Sequence, residues 1–141
     1  MTITHHLPKS IKLDHNQEKI VSILSETANK INNKHFFEQI TNLFTIQQTK
    51  GIYLHGSVGS GKTMIMKAFF EYITVNKYLV HYQTFINELH QKIHKEQKQS
   101  NMKIIEDMAI FLSKKYKILC IDEFEINDIT DAMIIKSLFY Y

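Results

Sequence analysis

Apolar residues follow two different rhythms along the chain. Between residues 14 and 31, Ile20, Leu24, Thr27 and Ile31 recur at helical spacing. Asp14 is placed to cap this helix, with Gln17 at the capping-box position. Asn32-Asn33 breaks the pattern, and a second helical stretch follows through Phe36, Phe37, Ile40, Leu43 and Phe44. Residues 47–50 form a polar link. Beyond it, short apolar runs alternate with helical stripes. Residues 51–55 predict a short buried strand, and residues 64–75 a helix with Ile65, Phe69, Tyr72 and Ile73 on one face. Residues 78–82 predict a second strand. Thr84 then caps a helix carrying Phe85, Leu89 and Ile93, which ends in the polar stretch 95–100. Met102, Ile105, Ala109 and Leu112 make another stripe, and residues 117–121 a third strand. A last helix runs from about 129 to 139, capped by Asn127 or Asp128. This alternation predicts an α/β fold with parallel strands over residues 50–141, preceded by a helical segment over 1–49.

Composition narrows the class. Apolar residues make up 44% of the 141 and charged residues 22%, which excludes a disordered chain or a coiled rod. The formal charge of +3 is too small to imply a nucleic-acid partner. One Cys cannot form an internal disulfide. No run approaches the roughly 18 apolar residues of a membrane span, and the first residues lack the basic-then-apolar order of a signal peptide. A reducing cytoplasm, without stable membrane insertion, is the expected compartment. Most informative is the placement of glycine: all four lie between Gly51 and Gly61.

Gly56-Ser57-Val58-Gly59-Ser60-Gly61-Lys62-Thr63 fits G-x-x-x-x-G-K-[ST], the phosphate-binding P-loop. Such a loop wraps a phosphate with inward-pointing backbone N–H groups, and the helix that follows aims its positive end at the same phosphates. Lys62 is expected to reach the β and γ phosphates, and Thr63 to ligate Mg²⁺. The alternative is a Gly-rich strand-to-helix turn. A second element is Ile118-Leu119-Cys120-Ile121-Asp122-Glu123, an apolar strand ending in acid, the Walker B arrangement. Ligands bind at strand ends in open parallel sheets. Asp122 is expected to hold Mg²⁺ through its water shell, and Glu123 to take a proton from an attacking water. Alone this pattern is weak, because many surface strands end in acid; its place after a P-loop strengthens it.

Other side chains read as structural. His90 and His94 stand at i, i+4 on a helix, but no third metal ligand is evident and a solvated face is the simpler reading. Cys120 lies mid-strand and reads as a small buried apolar group. The Lys-rich stretch 92–103 also carries Gln and Glu and reads as a solvated face. Phe36, Phe37 and Phe44 read as core, or as cover for a sheet.

Residues 50–63, KGIYLHGSVGSGKT, resemble the P-loop of the ZapE and AFG-like ATPases. Residues 121–139, IDEFEINDITDAMIIKSLF, are similar to that family's DEF-x-x-x-DI-x-DAM signature. Residues 81–93 look like its segment between the two motifs. Leu13-Asp14 with Gln17 resembles its early LD-x-x-Q. The resemblance implies an AAA+-like P-loop ATPase using ATP and Mg²⁺. It carries over Gly56, Gly59, Gly61, Lys62 and Thr63 as nucleotide ligands, and Asp122 and Glu123 in metal and hydrolysis roles. It further implies work on a protein partner: in bacteria a division polymer of the FtsZ type, in mitochondria inner-membrane proteins.

Family members continue past this point with a sensor strand, an arginine finger and a C-terminal portion, so the fold is expected to be incomplete at its C-terminus. In AAA+-like sheets the missing strand lies between the P-loop and Walker B strands. All 17 basic residues are Lys, so neither this chain nor a copy of it supplies an arginine finger. Residues 1–141 alone are therefore expected to be aggregation-prone and to hydrolyse ATP negligibly, with a C-terminal half as a required partner. Two alternatives remain open: a helicase-loader ATPase of the DnaC type, and a fragment that binds nucleotide or a partner without turnover. The DITDAM stretch favours the ZapE-like reading.

Overall fold

The computed structural model describes residues 2–37, 51–96 and 99–140. The chain divides into two compact units, Met1–Val75 and Asn76–Tyr141.

The first unit holds a 3-10 turn (Ile3–His6), α1 (His15–Phe37) and α2 (Lys62–Tyr72). The start of α1 is the reciprocal capping box that the sequence predicts. Gln17 N donates to Asp14 Oδ1 at 2.9 Å, and Asp14 N donates to Gln17 Oε1 at 3.0 Å. The buried face of α1 is Val21, Leu24, Ser25 and Ala28, rotated from the expected Ile20–Leu24–Thr27–Ile31 stripe. The cause is the turn at the N-terminus. Ile3 is fully buried, and its N–H donates to Ser25 Oγ at 3.1 Å, so small residues on α1 face inward there. Asn32 does not break the helix. It accepts from Thr74 N at 2.8 Å and donates to Tyr72 O at 3.0 Å, closing the C-terminal end of α2. Ile65, Ala68, Phe69 and Ile73 complete this core. Fully burying one Ile or Phe among them contributes roughly 1.5–3 kcal/mol.

Residues 51–55 form no strand, against expectation. A strand exists only where a neighbour completes its hydrogen-bond ladder, and among the described residues the sheet contains two other segments alone. Ile52 and Tyr53 are 41% and 68% exposed, so this run is not buried either. The expected helix through Ile40, Leu43 and Phe44 lies outside the described residues.

The second unit holds β1 (Lys77–His81), α3 (Tyr82–Lys95), α4 (Asn101–Lys115), β2 (Ile118–Asp122) and α5 (Ile129–Tyr140). β1 and β2 pair in parallel, with Leu79 opposite Cys120 and His81 opposite Asp122. The long crossover through α3 and α4 is what a parallel pair requires. Val80, Phe85, Ile86, Leu89, Ile105 and Ile135 lie at the centre of the core. The expected Thr84 cap is wrong: α3 begins directly at Tyr82, with His81 in the cap position. Tyr82 is buried with its ring edge-on to Phe124, centroids 5.1 Å apart, and this packing accompanies a helix start three residues earlier than the Thr84 cap implies. In α4, the Ser100 side chain accepts from Lys103 N, and Met102, expected in the buried stripe, is 56% exposed; Ile104, which the stripe did not include, is buried with Ile105 and Ala109. Cys120 is buried, and burial pushes its thiol up to about 11.

Of the two candidate caps for α5, Asp128 is the one used: Thr130 N donates to Asp128 Oδ1. The backbone and side-chain hydrogen bonds of Thr130 hold the Asp128 carboxyl below its ordinary 3.8. A depressed pKa contributes stability that is complete above the ordinary value and is lost as pH falls through the lowered one. Circular dichroism between pH 5 and 2 should therefore show acid loss of helix that Asp128→Asn, which keeps an acceptor but does not titrate, reduces. Superimposable acid titrations of the two proteins would contradict this cap.

Candidate functional site

Residues 56–63 form a compact loop running into the first turn of α2. Ser60 N donates to Ser57 O at 3.3 Å, closing a tight turn. Gly59 and Gly61 have φ of 79° and 80°, the left-handed region that side-chain-bearing residues avoid. Gly61 is the N-cap of α2, so the chain swings into the helix at a position where the backbone can turn freely. Lys62 folds back over the loop. Its Nζ donates to Gly56 O at 2.9 Å, to Ser57 O at 2.8 Å and, more weakly, to Ser60 Oγ at 3.4 Å. One ammonium, with three donors, thus fastens both ends of the loop and puts a positive charge beside the helix N-terminus, where orphan N–H groups already favour an anion.

A groove of about 590 Å³ opens beside this loop, lined by Gly59, Ser60, Lys62, Thr63 and Lys67 and, from the N-terminal turn, His6. Glu71 also lines it, with its carboxylate 3.4 Å from His6 Nδ1. The donor set fits a polyphosphate: glycine backbone at Gly59 and Gly61, one Lys at the loop and a second, Lys67, five residues on. Outside the loop itself, Gln17 reaches it from α1, donating from Nε2 to Ser60 O at 3.1 Å.

The acidic pair lies at the C-terminal end of β2 in the second unit. Asp122 is 7% exposed, and its Oδ1 accepts from Glu123 N at 3.0 Å. The Glu123 side chain is 79% exposed. Its φ is 53°, and among the described residues it is the one non-glycine with positive φ. Such a conformation costs on the order of 1–2 kcal/mol and marks places where strain is kept for a reason other than packing. His81, opposite Asp122 in the register, has Nδ1 4.0 Å from an oxygen of each acid. Its place beside the acids follows from the parallel register of β1 and β2, which spacing along the sequence does not specify.

His90 Nε2 is 2.7 Å from Asp131 Oδ1, which joins α3 to the start of α5, and no cluster of three metal-ligating side chains forms among the described residues. No helix among them is long and apolar enough to cross a membrane.

The profile of the AFG1-like ATPase family matches residues 4–141. The chain is 34% identical over 100 residues to lactation elevated protein 1 homolog B of Danio rerio, covering 64% of this chain and 20% of that one. It is 34% identical over 95 residues to an uncharacterized protein of Schizosaccharomyces pombe, covering 64% and 21%. It is also 34% identical over 90 residues to cell division protein ZapE of Escherichia coli K12, covering 63% and 24%. The chain therefore spans about a fifth to a quarter of the length of the curated relatives it matches. No solved structure matches it.

The strained backbone at Glu123 yields a direct stability test. Glu123→Gly should raise the thermal midpoint or leave it unchanged, because Gly accepts the left-handed region. Glu123→Val should lower stability by about 1 kcal/mol or more, since β-branched residues are outliers there. Equal melting of the Gly and Val proteins would show that Glu123 is not held in that conformation.

Proposed function

Because the chain belongs to the AFG1-like ATPase family, we propose that residues 56–63 bind the phosphates of ATP, and that its hydrolysis is coupled to remodelling of a protein partner in the cytoplasm. The observation that carries this reading is the loop geometry: left-handed glycines, Lys62 and the N-terminus of α2 converge on one short stretch. Gly56, Ser57, Val58, Gly59, Ser60 and Gly61 supply the backbone of the cradle. Lys62 exchanges carbonyl partners for β- and γ-phosphate oxygens, and the Thr63 hydroxyl, in the first turn of α2, ligates Mg²⁺. Asp122 would hold Mg²⁺ through water, and the ion would neutralise charge on the transferring phosphoryl group; Glu123, exposed and acceptor-only when ionised, would take the proton of the attacking water. The 17 basic residues are all Lys, and Lys gives a point charge rather than a planar fork. An arginine at the γ-phosphate would therefore have to be supplied from outside these 141 residues, and residues 1–141 alone are expected to hydrolyse ATP negligibly.

The partner is the finer part of the proposal. The name of the bacterial relative points to cell division, and a filament of the FtsZ type is the corresponding partner. Matches in a fish and a yeast extend the ATPase reading beyond bacteria, so we place the ATPase first and the division role second.

Calorimetric titration of ATP–Mg into the wild type and Lys62→Ala tests the site. A charge-assisted contact contributes about 1.5–3 kcal/mol, so the variant should bind about tenfold more weakly or worse. Equal affinities would remove the basis for a phosphate loop. Glu123→Gln should leave that affinity nearly intact while suppressing phosphate release by a turnover-competent assembly; normal turnover would place the base elsewhere.

A further inference from the structure

Gln17 makes contacts that the capping box does not need. Its Oε1 is taken by Asp14 N at 3.0 Å and its own N–H by Asp14 Oδ1 at 2.9 Å. That leaves Nε2, which crosses to the loop and donates to Ser60 O at 3.1 Å. The same nitrogen lies 3.1 Å from the point a Gly61 Cβ would occupy, so the amide fits against bare backbone. A capping box accepts Glu as readily as Gln at this position. With one oxygen committed to Asp14, an ionised Glu has no proton left to give, whereas the Gln amide donates. The choice of Gln here answers to the loop, not to the helix.

The consequence follows from peptide geometry. In a planar trans peptide the C=O and the following N–H point in opposite directions. Holding the Ser60 carbonyl toward Gln17 therefore turns the Gly61 N–H away from α1. Gly61, at φ 80°, has no side chain to restrict its backbone, so without this hold the peptide is free to flip. We propose that Gln17 is a positioning residue for the nucleotide site: it fixes the Ser60–Gly61 peptide so that the Gly61 N–H stays aimed at phosphate, and so couples the N-terminus of α1 to the P-loop. This rests on the phosphate-loop reading above.

The test uses the full chain, with ATP–Mg titrations and thermal melts of the wild type, Gln17→Glu, Gln17→Met, Asp14→Ala and Lys62→Ala. Gln17→Glu keeps the acceptor for Asp14 N and should melt as the wild type does. At pH 8 it should bind ATP–Mg about tenfold more weakly, the effect of one lost donor facing a carbonyl. Protonating the introduced carboxyl restores a donor, so its deficit relative to the wild type should narrow as pH falls toward 5. Gln17→Met, which adds no charge, should also weaken binding, so the loss is not mere repulsion of phosphate. Asp14→Ala opens the cap but leaves the donor, and should lower the melting point more than the affinity. If Gln17→Glu binds as the wild type does while Lys62→Ala loses binding, the phosphate loop stands and the role of Gln17 falls. A Gln17→Glu deficit that tracks its melting point, or that is constant from pH 8 to 5, also overturns that role. If the wild type does not bind, or Lys62→Ala binds equally well, the phosphate-loop reading falls and takes this inference with it.

Discussion

Everything the first unit offers to a ligand depends on one ammonium group held by two carbonyls. Lys62 is the first residue of α2, and the helix is anchored by Ile65, Ala68, Phe69 and Ile73. Its side chain turns back to Gly56 O and Ser57 O, so the far end of the loop is tied to the same rigid element as the near end. Left-handed Gly59 and Gly61 allow that path, and Gln17 donates to the Ser60 carbonyl that lies between them. A cation satisfied by neutral carbonyls stays close to its place of use and gives them up readily to a phosphate, which makes stronger charge-assisted bonds. On the proposed reading, the loop is preorganised by contacts weaker than those a phosphate would supply.

The second unit works through register rather than through a loop. Pairing β1 with β2 in parallel sets His81 opposite Asp122, and ending β2 with Glu123 in the left-handed region turns the next side chain out to solvent. Asp122 and Glu123 are adjacent in sequence yet differ in character, one buried and one exposed. That difference suits a division of labour in which one carboxylate holds and the other transfers. The segment that follows leads to α5, capped by Asp128 and tied to α3 through His90 and Asp131.

Much of this was legible in the sequence where local chemistry decides the outcome. The Asp14–Gln17 box, the turn residues of 56–61, the β1 and β2 strands and the buried Cys120 each follow from residues close together in the chain. The misreadings have long-range causes. Asn32 looks like a helix breaker until Thr74 and Tyr72 supply partners 42 and 40 residues away. The buried face of α1 is turned by Ile3, whose backbone bonds Ser25. The run 51–55 has strand composition, but strand formation requires a partner that composition does not reveal. His81 becomes visible only through strand register, and the second duty of Gln17 only through its bond to Ser60, 43 residues on.

If the backbone N–H groups at the start of α2 receive phosphate, amide nuclear magnetic resonance of the ¹⁵N-labelled chain, titrated in parallel with ADP, inorganic pyrophosphate and adenosine, should show it. ADP and pyrophosphate should shift the amides of Gly59, Gly61, Lys62 and Thr63, and adenosine should leave them in place. Shifts of equal size with adenosine, or none with either phosphate ligand, would contradict it.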